Sequence, residues 1–171
     1  MNCVTTLTVD RLRALLDYDP DSGIFTRRIR TASRHKVGDR ADFLIASGVM
    51  AGYLRVSIDY ERHLAHRLAW MHVHGSWPTN EIDHIDGNRG NNRIANLRDV
   101  TRTTNKENMR AARKDNQCGL LGVHWHAPTD QWRASIQVHG RAQHIGLFHT
   151  PEAAHLAYVE TKRRLHEGCT I

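Results

Sequence analysis

Hydrophobic positions along the first sixty residues change period twice. Val9, Leu12, Leu15 and Leu16 recur at helical spacing over residues 8–17. Asp17-Tyr18-Asp19-Pro20-Asp21-Ser22-Gly23 is dense in turn formers and ends that helix. A short strand is expected over Ile24–Arg28, and residues 30–50 show little periodicity. Leu54, Val56 and Ile58 then alternate with Arg55, Ser57 and Asp59, the pattern of a half-buried strand. Residues 1–60 thus read as a small α+β module with nine basic and seven acidic residues, which either touches DNA or buttresses the central segment of the chain.

From His63 to His74 the pattern predicts a strand end and a short helix, with Leu64, Leu68, Trp70, Met71 and Val73 available to pack and Gly75 and Trp77-Pro78 as the stop. Glu81–Asp86 reads as a strand, Gly87–Asn92 as a turn and Leu97–Thr101 as a returning strand. Thr101 or Thr104 should cap a helix running to about Lys114, and Thr104 with Glu107 matches a capping box. The polar stretch 113–118 reads as a linker. Beyond it, residues 122–126, 132–138 and 143–148 are three short strands, and Thr150-Pro151-Glu152 opens a helix with Ala153, Ala154, Ala157 and Tyr158 on its apolar side. The expected fold is α+β, in three parts: 1–60, 61–114 and 119–171.

Charge narrows the partners. With 24 Lys and Arg against 18 Asp and Glu, the 171-residue chain carries a formal +6, which draws polyanions and makes nucleic acid the natural partner. Neither a long apolar run nor a basic helix with a broad apolar face points to a membrane. Asp10, Asp17, Asp19 and Asp21 interrupt any secretory leader, so a cytoplasmic protein is expected. No obligate protein partner is evident. Cys3, Cys118 and Cys169 are odd in number and widely spaced, so free thiols are expected; no Cys-x-x-Cys pair offers a structural zinc site. His63, His66, His72 and His74 match no strong zinc spacing and are assigned no metal.

The chemistry concentrates between residues 83 and 105. Asp83-His84-Ile85-Asp86-Gly87-Asn88 is followed by Asn91-Asn92-Arg93, Asn96-Leu97-Arg98, Thr101 and Asn105. Asp and Asn oxygens suit Mg²⁺ or Mn²⁺ better than zinc, and an imidazole takes a proton from water near neutral pH. This set resembles the HNH nuclease motif in the Asp-His…Asn…Asn form of phage and intron-encoded homing and nicking endonucleases. The resemblance implies a ββα-metal finger in which Asp83 and Asn105 bind one divalent metal and His84 is the general base. Asn96 then either bonds the His84 ring or holds its loop. Asn88, Asn91 and Asn92 read as turn or fold residues. Neighbours on a regular strand face opposite ways, so the strand must end, twist or bulge at Asp83-His84.

Arg98, Arg102, Lys106, Arg110 and Lys114 fall every four residues, and the last four would line one face of the helix bearing Asn105, where Arg102, Lys106 and Arg110 are candidate phosphate contacts. Residues 122–158 resemble the ethylene-response-factor (APETALA-two) DNA-binding domain through Gly122-Val123, Trp132-Arg133-Ala134 with Ile136, Ile145-Gly146 with Phe148, Thr150 to Ala154, and Ala157-Tyr158. That resemblance implies major-groove reading by His124, His126, Arg133, Ser135, Gln137 and His144, with histidine where the plant family uses Arg or Trp. The expectation is a metal-dependent endonuclease that nicks or site-preferentially cleaves double-stranded DNA. The alternative is a DNA-binding regulator carrying a decayed nuclease.

Overall fold

The computed structural model describes residues 7–113 and 115–171; Cys3 and Lys114 lie outside the described residues. The chain is α+β and forms two compact units, Met1–Asp99 and Val100–Ile171. Among the described residues no helix is long and apolar enough to cross a membrane.

In the first unit α1 (Val9–Leu15) starts at Thr8, whose hydroxyl accepts the Arg11 N–H at 3.2 Å. It ends earlier than its apolar spacing suggests, because Leu16 already belongs to β1 (Leu16–Asp19), paired antiparallel with β2 (Ile24–Arg27). Leu16 and Tyr18 are buried and Asp17 and Asp19 exposed, a period of two that the Leu15-Leu16 doublet conceals. β3 (Asp42–Leu44), β4 (Leu54–Ile58) and β5 (Glu61–Leu64) form an antiparallel sheet with β4 central. Leu54, Val56 and Ile58 point inward as their alternation predicts. α2 (Ala65–His74) buries Ala65, His66, Leu68, Ala69 and Met71, and stops at left-handed Gly75. Leu12, Phe25, Val56 and Leu68 are fully enclosed in this core, each contributing about 1.5–3 kcal/mol by leaving water. β6 (Glu81–His84) pairs with β7 (Leu97–Val100).

The β1–β2 hairpin braces the chain that returns toward β7. The Tyr18 hydroxyl donates to the Asn92 carbonyl at 2.6 Å, and the Ile94 N–H donates to the Pro20 carbonyl at 3.3 Å. Gly23 sits at φ +74°, and a Cβ there would stand 2.5 Å from the Asn92 carbonyl carbon and the Arg93 nitrogen. Within the first unit these contacts hold the hairpin against the backbone of residues 92–94.

The second unit contains α3 (Arg102–Glu107), β8 (Val123–His126), β9 (Gln131–Val138), β10 (Arg141–Phe148) and α4 (Pro151–Leu165). The three strands are antiparallel in the order β10-β9-β8, with a bulge between His144 and Gly146. Val123, Ala134, Ile136 and Val138 pack on Ala154 and Tyr158 of α4. Thr150 caps α4 through the Ala153 N–H at 3.2 Å, with Pro151 opening its first turn.

The structure corrects four further sequence expectations in this part of the chain. α3 ends at Glu107 instead of running to about Lys114: the Asn108 and Met109 N–H groups bond back only three residues, to Asn105 and Lys106, and the Met109 carbonyl accepts from Lys162. Its cap is Thr101, bonded to the Thr104 N–H at 3.3 Å, and the Glu107 carboxylate accepts from Gly168 N–H instead of closing a capping box. Arg110 consequently lies past the helix, donating to the Thr170 carbonyl and hydroxyl, so only Arg102 and Lys106 form the basic stripe on α3. The stretch expected as a linker is folded onto its own unit: Asn116 accepts from Cys118 and Gly119 N–H and donates to the Leu120 and Val123 carbonyls.

Gly23→Ala should destabilise the first unit by about 1–3 kcal/mol from the left-handed backbone alone, with the Asn92 clash adding to it. Urea unfolding followed by Trp70 and Trp77 fluorescence measures the loss; a midpoint equal to wild type would show that the close approach is not needed.

Candidate active site

β6 carries Asp83 and His84 into the interior, both buried. The strand ends at His84, where Gly87 N–H turns back to the His84 carbonyl at 2.8 Å. This meets the requirement that adjacent residues escape strict alternation, and each side chain has its own partner. Arg98, on the paired strand β7, places Nε and Nη2 at 2.9 and 2.7 Å from the same Asp83 oxygen, Oδ2. His84 Nε2 lies 3.0 Å from Asn92 Oδ1. That oxygen accepts only, so Nε2 carries the proton and the neutral ring has its lone pair on Nδ1.

The His84 ring stands edge-on to His66 of α2, with centroids 5.1 Å apart, and 5.8 Å from Tyr53. Arg89 lies over the Tyr53 ring, its guanidinium carbon 4.8 Å from the centroid. Burial pushes the His84 pKa below the usual imidazole value; the bond to Asn92 and the charges of Asp86 and Asp83 oppose that shift without reversing it. His66 is 5 % exposed, and burial, reinforced by His84 and Arg67, takes its pKa down to about 3. Both rings are therefore neutral at neutral pH.

Asn96 does not bond the imidazole. Its Oδ1 accepts the Asp86 N–H at 3.0 Å, and its Nδ2 donates to Asp86 Oδ1 and the Asn91 carbonyl at 2.9 and 2.8 Å. Its own carbonyl accepts from Ile85 N–H. Of the two roles left open by the sequence, Asn96 holds the loop, and the ring bond falls to Asn92. Asp86 closes the same turn by accepting from Asn88 N–H and Asn91 Nδ2. Burial alone would raise its pKa, but the bonds from Asn91, Asn88 and Asn96 outweigh it and hold the carboxyl below its usual range.

Sequence reasoning missed Asn92, His66 and the Arg98 partnership. The Asn91-Asn92 doublet looks like turn chemistry, and His66 sits in a helix whose other buried residues are apolar. A signal was present in the placement of His66 on the buried face of α2 with Leu68 and Ala69.

Asn105 lies on α3 in the second unit, with Arg102 and Lys106 one helical turn apart on the same element. The polar face of the C-terminal sheet follows the alternation of its strands. His124 pairs with Arg133, His126 with Gln131, Ser135 with His144 and Gln137 with Ala142, which brings His124, His126, Arg133, Ser135, Gln137 and His144 to one side of the sheet. A cleft of about 630 Å³ in this unit is lined by Lys106 and Arg113 together with His124, Ser135, Gln137 and His166.

The family model described as HNH endonuclease matches residues 63–109. The chain is also 32 % identical over 108 residues to "Protein 3.8" of Escherichia phage T7, covering 63 % of this chain and 88 % of that protein. No solved structure matches the chain.

The buried His66 predicts a pH dependence of stability. Its folded pKa is depressed, so the unfolded ring binds a proton first as pH falls below 6.5, and stability present above that value is lost on acidification. Between pH 6.5 and about pH 5 the loss from this group is about 2 kcal/mol. His66→Gln should lose correspondingly less than wild type over the same interval in urea titrations; parallel losses would mean that His66 is not held neutral.

Proposed function

Because the chain belongs to the HNH endonuclease family, we propose that it is a metal-dependent endonuclease that hydrolyses phosphodiester bonds of double-stranded DNA, with His84 as general base and Asp83 and Asn105 holding one Mg²⁺ or Mn²⁺. The observation that carries this reading is the imidazole at the end of β6, buried and held by Asn92 beside a carboxylate. A general base must be unprotonated and held in orientation, and the burial of His84 and its bond to Asn92 support that reading. The proton of the attacking water passes to the His84 ring, which Asn92 orients through Nε2. Asn96 and Asp86 keep the loop from relaxing, so the ring is presented in one orientation.

The donor set suits a hard cation. One carboxylate and one carboxamide are too few for a protein cage, and among the described residues no group of three or more His, Cys, Asp or Glu forms one. Mg²⁺ needs no cage, since it retains several waters and takes the rest of its shell from substrate phosphate. When bound, such a cation neutralises charge on the phosphorane-like transition state and on the departing oxygen. Arg98 holds the Asp83 carboxylate in place for that purpose. Asp83 and Asn105 fall in different compact units, and what supports their joint role is the family match, which spans both positions.

Arg102 and Lys106 supply phosphate contacts from α3, and the sheet face of the APETALA-two type supplies base contacts. One metal centre addresses one strand at a time, so the expected product is a nick, in the manner of a homing or nicking endonuclease acting in the cytoplasm. A double-strand break needs a second encounter or a second copy.

His84→Ala should slow cleavage of supercoiled plasmid by roughly 10² to 10⁴ while leaving DNA affinity nearly unchanged; wild-type rates would remove His84 from the mechanism. Asp83→Ala and Asn105→Ala should each abolish Mg²⁺-dependent cutting, and zinc should substitute poorly. Full activity in excess chelator would count decisively against a metal mechanism.

A further inference from the structure

α3 is a helix that does not hold itself in place. It has six residues, none of them buried, and an isolated helix of that length has no stability of its own in water. Within its unit it is held by the end of α4 and the residues after it, which close on α3 at three points.

The first point is Lys162 of α4, 1 % exposed, whose ammonium donates to the Met109 carbonyl just beyond α3. Burying an ammonium is costly, and burial does push its pKa down, with Glu107 and Cys169 opposing and Arg110 adding to the shift. The second is Gly168, whose N–H bonds Glu107 Oε2 at 3.2 Å. A Cβ on Gly168 would stand 2.2 Å from the Thr104 carbonyl oxygen and 3.0 Å from Glu107 Cβ, so the tail lies directly on the helix backbone. The third is Thr170, whose hydroxyl donates to Asn108 Oδ1 at the helix C-terminus and accepts from Arg110 Nη2 at 2.5 Å. Thr104, Glu107 and Asn108 surround Asn105 in sequence, so these contacts set where Asn105 stands.

We propose that Lys162, Gly168 and Thr170 are positioning residues for DNA cleavage: they fix the helix that carries Asn105, which makes the C-terminal module part of the cutting apparatus as well as a reader of DNA. The proposal rests on the reading of Asn105 as a metal ligand. A ligand displaced by about 1 Å costs on the order of 10²-fold in rate, and with only two protein ligands the cation has nothing to compensate. A tail that served only to complete the fold would leave metal dependence untouched.

The test uses the full chain, supercoiled plasmid at saturating concentration and Mg²⁺ titrated over its working range. Gly168→Ala and Thr170→Val should raise the Mg²⁺ concentration for half-maximal rate by about tenfold or more, the scale of one or two lost bonds at the helix. Plasmid affinity measured without metal should be unchanged, and Thr170→Ser, which keeps the hydroxyl, should match wild type. If both variants lose plasmid affinity and activity together at every Mg²⁺ concentration, with half-saturation unmoved, the tail is merely structural and the proposal is overturned. Asn105→Ala in parallel separates the two inferences. If it is inactive while Gly168→Ala and Thr170→Val keep wild-type Mg²⁺ dependence, Asn105 stands as a ligand and the positioning role fails. If Asn105→Ala cuts like wild type, both readings fall.

Discussion

The hydrogen bond between His84 and Asn92 is the contact on which the first unit is organised. Asn92 is 1 % exposed and does two jobs at once: its side-chain oxygen takes the imidazole Nε2–H, and its carbonyl takes the Tyr18 hydroxyl. Tyr18 in turn packs on Phe25 with ring centroids 4.9 Å apart, so the apolar core and the polar site meet at one residue. The arrangement is not the cheapest available. Asn92 Nδ2 and His66 Nδ1 are buried with no partner among the described residues, and an unsatisfied buried polar group costs about 1–3 kcal/mol. A sequence selected for stability alone would place apolar side chains here. Polar groups kept at that cost beside an aimed imidazole are what a reactive site requires.

The same bond accounts for the N-terminal segment. Two strands and a turn, with a glycine pressed against the Asn92 backbone, shield the His84–Asn92 bond from water and fix the direction of the chain after the loop. A hydrogen bond is worth more in such low-dielectric surroundings than at the surface. The core behind it, Leu12, Leu16, Phe25 and Leu68, supplies the rigidity that a turn rich in Gly and Asn lacks.

Elements were legible wherever period and punctuation agreed. β4 follows from Leu54, Val56 and Ile58, α2 from its apolar face and Gly75, and α4 from Thr150-Pro151, because each depends on local rules. β1 was hidden because Leu15 and Leu16 fit the end of a helix as well as the start of a strand. The turn after β6 was legible from its Gly and Asn residues, whereas the partner of the His84 imidazole was not. Several asparagines lie within reach of the loop in sequence, and only the three-dimensional path of residues 86–92 decides that Asn92 meets the ring while Asn96 ties the turn. The end of α3 was illegible for a related reason: Lys162, which takes the Met109 carbonyl, is more than fifty residues away along the chain.

The HNH match and the compact units divide the chain differently. The match runs from 63 to 109, while the packing boundary falls between Asp99 and Val100. The match follows sequence similarity, whereas the units follow cooperative burial, which needs apolar area. α3 lies inside the match but buries none of its residues, and within its unit it is held by Lys162 and Gly168. As a result, Asn105 shares a unit with Arg102, Lys106 and the sheet face of Arg133 and Gln137, while His84 and Asp83 depend on the N-terminal core.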